Sequence, residues 1–338
     1  MRVLFIGGTG DISTSSSQLA VERGIDLVLL HRGQTPADIL GAAHIQGDIH
    51  QPEQVRQALH GMHFDAVVNW VAYVPEDIER DIALFRGMTD QYVFISSASA
   101  YQKPAVTPVI TESTPLHNPF WRYSRNKAAC ESRLMAAYDA QEFPVTIVRP
   151  SHTYAKRIPG IMGGAYFLAE RMLRGLPVIV HGDGTSLWTL THSEDFARGF
   201  VGLLGNPHAL GHAVHITSDE LLNWNQIHEI VGHALGVTPK IVHIPSDFIA
   251  RVNPNMGPGL LGDKSWSVIF DNSKIRRLVP EYQATIPFHR GIEKVLAWFN
   301  EDETRKAVDP AAHAEADAIL AAYEAATRPA AAADAGGA

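Results

Sequence analysis

Cys130 is the only cysteine in 338 residues, so no intrachain disulfide can form and a reducing compartment is expected. No apolar run approaches the ~18 residues a membrane span needs. Met1-Arg2 leads at once into Val3-Leu4-Phe5-Ile6 without a signal-peptide layout, so a cytoplasmic protein that meets no membrane is expected. Basic excess is missing as well. With 28 Lys+Arg against 36 Asp+Glu the net charge is −8, which argues against nucleic acid as the main partner. Metal-site spacings are absent: His228 and His233 stand five apart, ~140° round a helix, and His60-Gly61-Met62-His63 contains a glycine and offers no third ligand. No metal is expected. From Pro329 the tail holds only Ala, Gly and one Asp, and is expected to be disordered.

What the chain does contain is core material. Hydrophobic residues make up 46% and charged residues 19%, as in ordinary globular proteins, and the length suits about two domains. Continuous apolar runs recur at Val3–Ile6, Leu27–Leu30, Ala66–Asn69, Tyr92–Ile95 and Val145–Val148, with longer amphipathic stretches between them. Runs without alternation indicate strands buried on both faces. Strands joined through helices must be parallel, so an α/β fold with a doubly wound sheet is predicted. Residues 1–150 are expected to form a dinucleotide-binding domain to which some later segments return. Residues 151–305 are expected to form mainly a smaller, loop-rich substrate region, and 306–328 a C-terminal helix.

The first strand ends in Gly7-Gly8-Thr9-Gly10-Asp11-Ile12-Ser13. Gly7 permits a sharp turn, Gly10 a close approach of backbone N–H groups to a pyrophosphate, and Ser13 stands where a third glycine is usual. The second strand ends in His31-Arg32-Gly33 with no carboxylate for a ribose 2′-hydroxyl. The guanidinium of Arg32 can fork onto a 2′-phosphate, so the expected cofactor is NAD(P), leaning to NADP. Asp48 can accept from an adenine amino group, and Asn69-Trp70-Val71-Ala72 ends the strand that faces the ribose. The cofactor is thus expected over Gly7, Gly10, Asp11, Ile12, Arg32, Asp48, Ile49, Trp70, Val71 and Ala72, reaching Tyr123 and Lys127.

Tyr123 and Lys127 are four residues apart in a helix-compatible run, which puts both on one face. A phenol is a poor base at neutral pH unless a cation stands by, and Lys127 supplies one. Ser96-Ser97 closes a buried strand and offers a hydroxyl to hold a substrate oxygen. Such a set moves a proton while a nicotinamide moves a hydride.

With Val148-Arg149-Pro150, Gly182-Asp183-Gly184-Thr185, His192-Ser193-Glu194-Asp195 and Asp271-Asn272-Ser273-Lys274 added, the chain resembles the extended short-chain dehydrogenase/reductase family, the NAD-dependent epimerase/dehydratase group, from Met1 to about Phe299. The resemblance implies a Rossmann sheet with a small C-terminal substrate domain. It also implies Ser97, Tyr123 and Lys127 as catalytic residues, and a homodimer formed through the helix that bears Tyr123.

The departures narrow the reading. Ser97-Ala98-Ser99-Ala100-Tyr101 lacks the acidic pair of the family's dehydratases. His152, Trp188 and Leu260 stand where the family's epimerases place groups that hold a nucleotide diphosphate, and Trp and Leu cannot supply charge-assisted donors. A sugar- or polyol-like substrate without a nucleotide is expected against Ser97, Ser99, Trp121, His152 and Trp188, with Trp70, Phe120 and Tyr154 adding aromatic surface. The alternatives are a nucleotide-sugar 4-epimerase and, from another class, an RNA-binding protein of the same fold. Epimerisation and net oxidoreduction stay equally open.

Overall fold

The computed structural model describes residues 1–34 and 39–328; the tail expected to be disordered lies outside them. Seven strands make the central sheet: β1 (Arg2–Ile6), β2 (Asp26–His31), β3 (Ala43–Gln46), β4 (Ala66–Asn69), β5 (Tyr92–Ile95), β6 (Val145–Pro150) and β7 (His212–Ile216). Their order in space is β7-β6-β5-β4-β1-β2-β3, and every pairing is parallel. Val3 stands beside both Leu27 and Ala66, so β1 is the point from which the strand order runs off in two directions. In open α/β sheets the crevice at such a point, beyond the carboxyl ends of the strands, is where ligands bind.

Burial on both faces accounts for the unbroken apolar runs. Val3, Phe5, Leu27 and Leu29 pack to one side with helices α1 (Ser13–Glu22) and, later in the chain, Ser193–Leu203. Leu4, Ile6, Val28 and Leu30 pack to the other with α2 (Pro75–Phe85) and α3 (Arg122–Asp139). Each such side chain contributes roughly 1.5–3 kcal/mol on burial, so the sheet is the stable platform of the molecule. The buried face of α1 carries Ser13, Ser16, Ser17 and Ala20, small enough for the helix to lie close on β1, and the Ser17 hydroxyl donates to the Gly8 carbonyl at 2.8 Å.

Four two-stranded pairings lie outside this sheet. They pair Val109–Ile110 with Ile269–Phe270, His152–Tyr154 with Leu190–His192, Pro177–His181 with Lys240–Ile244, and Leu187–Trp188 with Leu222–Asn223. A separate apolar cluster, built around Trp188, Trp224, Tyr154, Phe288 and Phe299, holds them together. The C-terminal helix Pro310–Thr327 is pinned by Ile319 and by an Arg171–Asp317 ion pair at 2.7 Å. Among the described residues no helix is long and apolar enough to cross a membrane.

Candidate active site

A cleft runs along the carboxyl ends of the strands and widens at both ends. At one end it is walled by Ile6, Gly7, Thr9, Leu30, Arg32, Asp48, Ile49 and Val71. The Asp48 carboxylate accepts from the His50 N–H at 3.0 Å, which fixes it in a turn beside Ile49. His31 Nδ1 accepts from the Gly33 N–H at 3.0 Å, so its proton sits on Nε2 and is donated to His44 Nδ1 at 2.9 Å. Burial, with His44 adding to it, lowers the His31 pKa, in keeping with a neutral ring. Arg32 is left exposed at the rim.

The middle of the cleft is lined by Gly7, Gly8, Gly10, Asp11, Ile12, Trp70, Val71 and Tyr73, and ends at Ser97, Tyr123 and Lys127. Gly7 and Gly8 have φ of 92° and 98°, and a Cβ on Gly8 would lie 2.9 Å from Leu29. Only glycine serves at that turn. The Gly10 N–H is turned onto Ser13 Oγ at 2.8 Å rather than left to the cleft, so the residue in place of the third glycine takes up a donor expected for a pyrophosphate. Asp11 and Ile12, at the start of α1, line the cleft beside it. The cradle, the helix N-terminus and the length of the groove fit a dinucleotide.

Two of the expected cofactor contacts sit differently. Ala72 is fully buried and offers the cleft no wall; it contributes its carbonyl, which accepts from Lys127 Nζ at 2.6 Å. Trp70 lines the cleft, yet its ring packs on Phe200 at 4.8 Å and Phe5 at 5.7 Å, so much of it is core. The spacing of Tyr123 and Lys127 does place both on α3, facing the cleft. Lys127 is 2% exposed and also donates to the Ile95 carbonyl at 2.7 Å. Burial lowers its pKa to about 8, with Cys130, Glu131 and Asp77 pulling the other way. Burial pushes the Tyr123 phenol up to about 12, opposed by the Ser97 hydroxyl.

Beyond Tyr123 the cleft opens into a cavity of about 280 Å³, near the lower end of small-molecule sites. Its walls include Ser97, Ser99, Trp121, His152 and Trp188, so the structure brings all five expected substrate residues together. Ser124 donates to Ser99 Oγ at 2.8 Å, and Ser99 and Ser97 share a hydrogen bond at 2.9 Å. Trp188 shows little more than an edge: it is 2% exposed and its Nε1 donates to His152 Nδ1 at 3.0 Å. Burial takes His152 down to about 3, with Lys264 and Arg157 adding to the effect, so the ring is neutral.

Phe120 and Tyr154, expected in the same pocket, are not on its walls. Tyr154 packs against Phe288 and His192 inside the second cluster. Leu260 is likewise core, among Phe167, Ile179 and Ile249.

Sequence reasoning missed Tyr73, whose ring lies 4.6 Å from Lys127 Nζ, and missed Asp263 and Lys264 on the far wall of the cavity. The link to that wall is Asn118, whose side-chain N–H donates to the carbonyls of Ser99 at 2.9 Å and Gly262 at 2.7 Å. Nothing in the spacing of residues 118 and 262 announces that contact.

Among proteins of known activity, the chain is 28% identical over 290 residues to the 2′-dehydrokanamycin reductase of Streptomyces kanamyceticus, covering 84% of this chain and 80% of that one. It is 28% identical over 333 residues to the UDP-glucose 4-epimerase of Lactobacillus helveticus, covering 88% and 95%. The chloroplast stem-loop binding protein of 41 kDa b from Arabidopsis thaliana is 25% identical over 263 residues, covering 73% and 67%. In fold, an epimerase from Methanothermobacter thermautotrophicus superposes with a TM-score of 0.73 at 17% identity, covering 90% of this chain and 93% of that one. The family profile itself matches residues 3–217, from the first strand of the sheet to the end of the seventh. The chain belongs to the NAD dependent epimerase/dehydratase family.

Proposed function

We propose that the protein moves a hydride between NADP and a secondary alcohol or ketone on a sugar-like ring that carries no nucleotide, with Tyr123 as acid/base. The observation that carries this reading is the cavity wall. It adjoins Ser97 and Tyr123, and its only side-chain cation among the described residues is Lys264. Neither Arg157 nor Arg251 is on that wall. Arg157 pairs with Asp11 at 3.9 Å and Arg251 lies over the Phe248 ring at 5.5 Å. The reductase relative, named for 2′-dehydrokanamycin and not for a nucleotide sugar, supports the same reading.

When bound, the cofactor supplies the hydride donor or acceptor. The rest is the work of this chain. A phenol held near pH 12 is protonated at neutral pH, so Tyr123 is set to give a proton to a carbonyl oxygen as it becomes an alcohol. Ser124 donates to Ser99; with Ser99 in turn donating to Ser97 Oγ, the Ser97 O–H is left to hold that oxygen. Lys127 keeps its charge below about pH 8, close enough to favour the phenolate that Tyr123 becomes. Arg32 at the rim favours the 2′-phosphate of NADP.

Calorimetry with UDP-glucose tests the reading. Binding weaker than millimolar is expected; micromolar, salt-sensitive binding would restore the nucleotide-sugar 4-epimerase, which the relative from Lactobacillus helveticus otherwise favours. The stem-loop binding relative makes RNA the second reading, and a filter-binding titration against salt decides it, since phosphate contacts give a steep salt slope.

A further inference from the structure

The far wall of the cavity is formed by a wide helical turn, Leu260–Lys264, in which hydrogen bonds run from residue i to i+5. Such turns are uncommon and cluster at functional sites. Asn118 ties this one to the Ser97 side of the cavity. A Cβ on Gly262 would lie 3.0 Å from Trp121 and 3.1 Å from Asn118 Oδ1, so the turn sits as close as a glycine allows. The next residue, Asp263, lines the cavity together with Ser97 and Tyr123.

Its carboxyl group has no hydrogen-bond donor and no ion pair among the described residues, although Lys264 lines the same cavity and Lys103 is buried nearby. Burial outweighs both lysines and holds the carboxyl above its usual range, while its charge helps push the Tyr123 phenol up. His152 is neutral and adds no compensating charge. Asp263 is half-buried, and its carboxylate, which has no donor of its own, gains a charge-assisted hydrogen bond from an incoming ammonium. The cavity also presents Trp121, whose ring face suits a cation better than an anion.

We propose that Asp263 anchors an ammonium group of the substrate, so that the site takes a cationic amino sugar or amino glycoside in preference to a neutral or anionic ring. The proposal rests on the hydride-transfer reading above and adds the substrate class and the residue that selects it. Asp263 is distinct from the proton-moving group: it binds the far side of the ring while Tyr123 and Ser97 hold the reacting oxygen.

The test is calorimetry of the NADP-loaded protein with kanamycin and with fully N-acetylated kanamycin, which keeps the hydroxyls and loses the charge. The amine should bind at least tenfold more tightly, with an affinity that falls as salt is raised. Asp263→Asn should remove that preference and leave NADP binding unchanged, which also shows that the variant is folded. Equal affinities, no binding of the amine, or a preference that survives Asp263→Asn would overturn the assignment while leaving hydride transfer untouched. Micromolar binding of UDP-glucose would instead remove the reading beneath it.

Discussion

Lys127 enters the protein at a cost that can be measured without a substrate. In the folded chain burial at the end of the cleft lowers the pKa of its ammonium to about 8, against 10.5 for a free lysine. The folded state therefore binds fewer protons than the unfolded state between those values, and stability rises with pH across that window. Charged burial costs about 3 kcal/mol at pH 7, and about 2 kcal/mol of this is recovered by pH 9.5. Lys127→Met keeps the apolar stem and removes the titration. The assay is urea unfolding of both cofactor-free proteins from pH 7 to 9.5. The difference between them cancels every other titrating group and the constant loss of the bonds to Ala72 and Ile95. The wild type should gain about 2 kcal/mol on the variant over that range. Curves that stay parallel, or a gap that moves the other way, would refute the buried, depressed ammonium.

Four further outcomes are expected. Tyr123→Phe should lower turnover by roughly a hundred- to ten-thousandfold, the usual worth of a positioned acid/base, with NADP affinity intact in a fluorescence titration. Arg32→Ala should weaken NADP by about 1–3 kcal/mol and leave NAD nearly unchanged, as competition binding would show; equal losses would mean that Arg32 does not read the 2′-phosphate. Tyr154 buries a hydroxyl that has no partner among the described residues, so Tyr154→Phe should leave the thermal midpoint unchanged or raise it. Gly291→Ala should lower the midpoint, because a Cβ there would meet that hydroxyl at 1.8 Å.

The sheet was legible because both of its faces are covered, which forces β1, β2, β4, β5 and β6 into unbroken apolar runs. The glycine turn and the pair Tyr123/Lys127 were legible because local geometry alone dictates them: a positive φ in one case, one helical turn in the other. β7 was harder, since His212 and His215 interrupt its pattern; His215 is buried only because Tyr101 and the Asp271 carbonyl take its two nitrogens. The substrate side resisted for a related reason. Its far wall comes from residues 263 and 264, more than a hundred positions from Ser97 and Tyr123, and is brought in by one asparagine amide. Aromatic count was a poor guide there: Trp121 reaches the cavity, whereas Tyr154 and most of Trp188 serve the core.

The seventh strand also bears on how such proteins can be recombined. β7 pairs with β6 from Thr146 to Pro150, and the helix Ser193–Leu203 lies on α1, where Ser15 and Ser193 share a hydrogen bond at 2.8 Å. A chimera joined at residue 150 would take the edge strand and a covering helix from one parent and the sheet that needs them from the other, exposing the apolar face around Phe5 and Leu29. Exchange confined to residues 151–190 and 218–270 leaves that sheet whole, with the Ile275, Val279 and Tyr282 that cover it, and carries Trp188, Asp263 and Lys264 with it. New substrate specificities should therefore be graftable as two inserts in one scaffold, and not as an exchanged half.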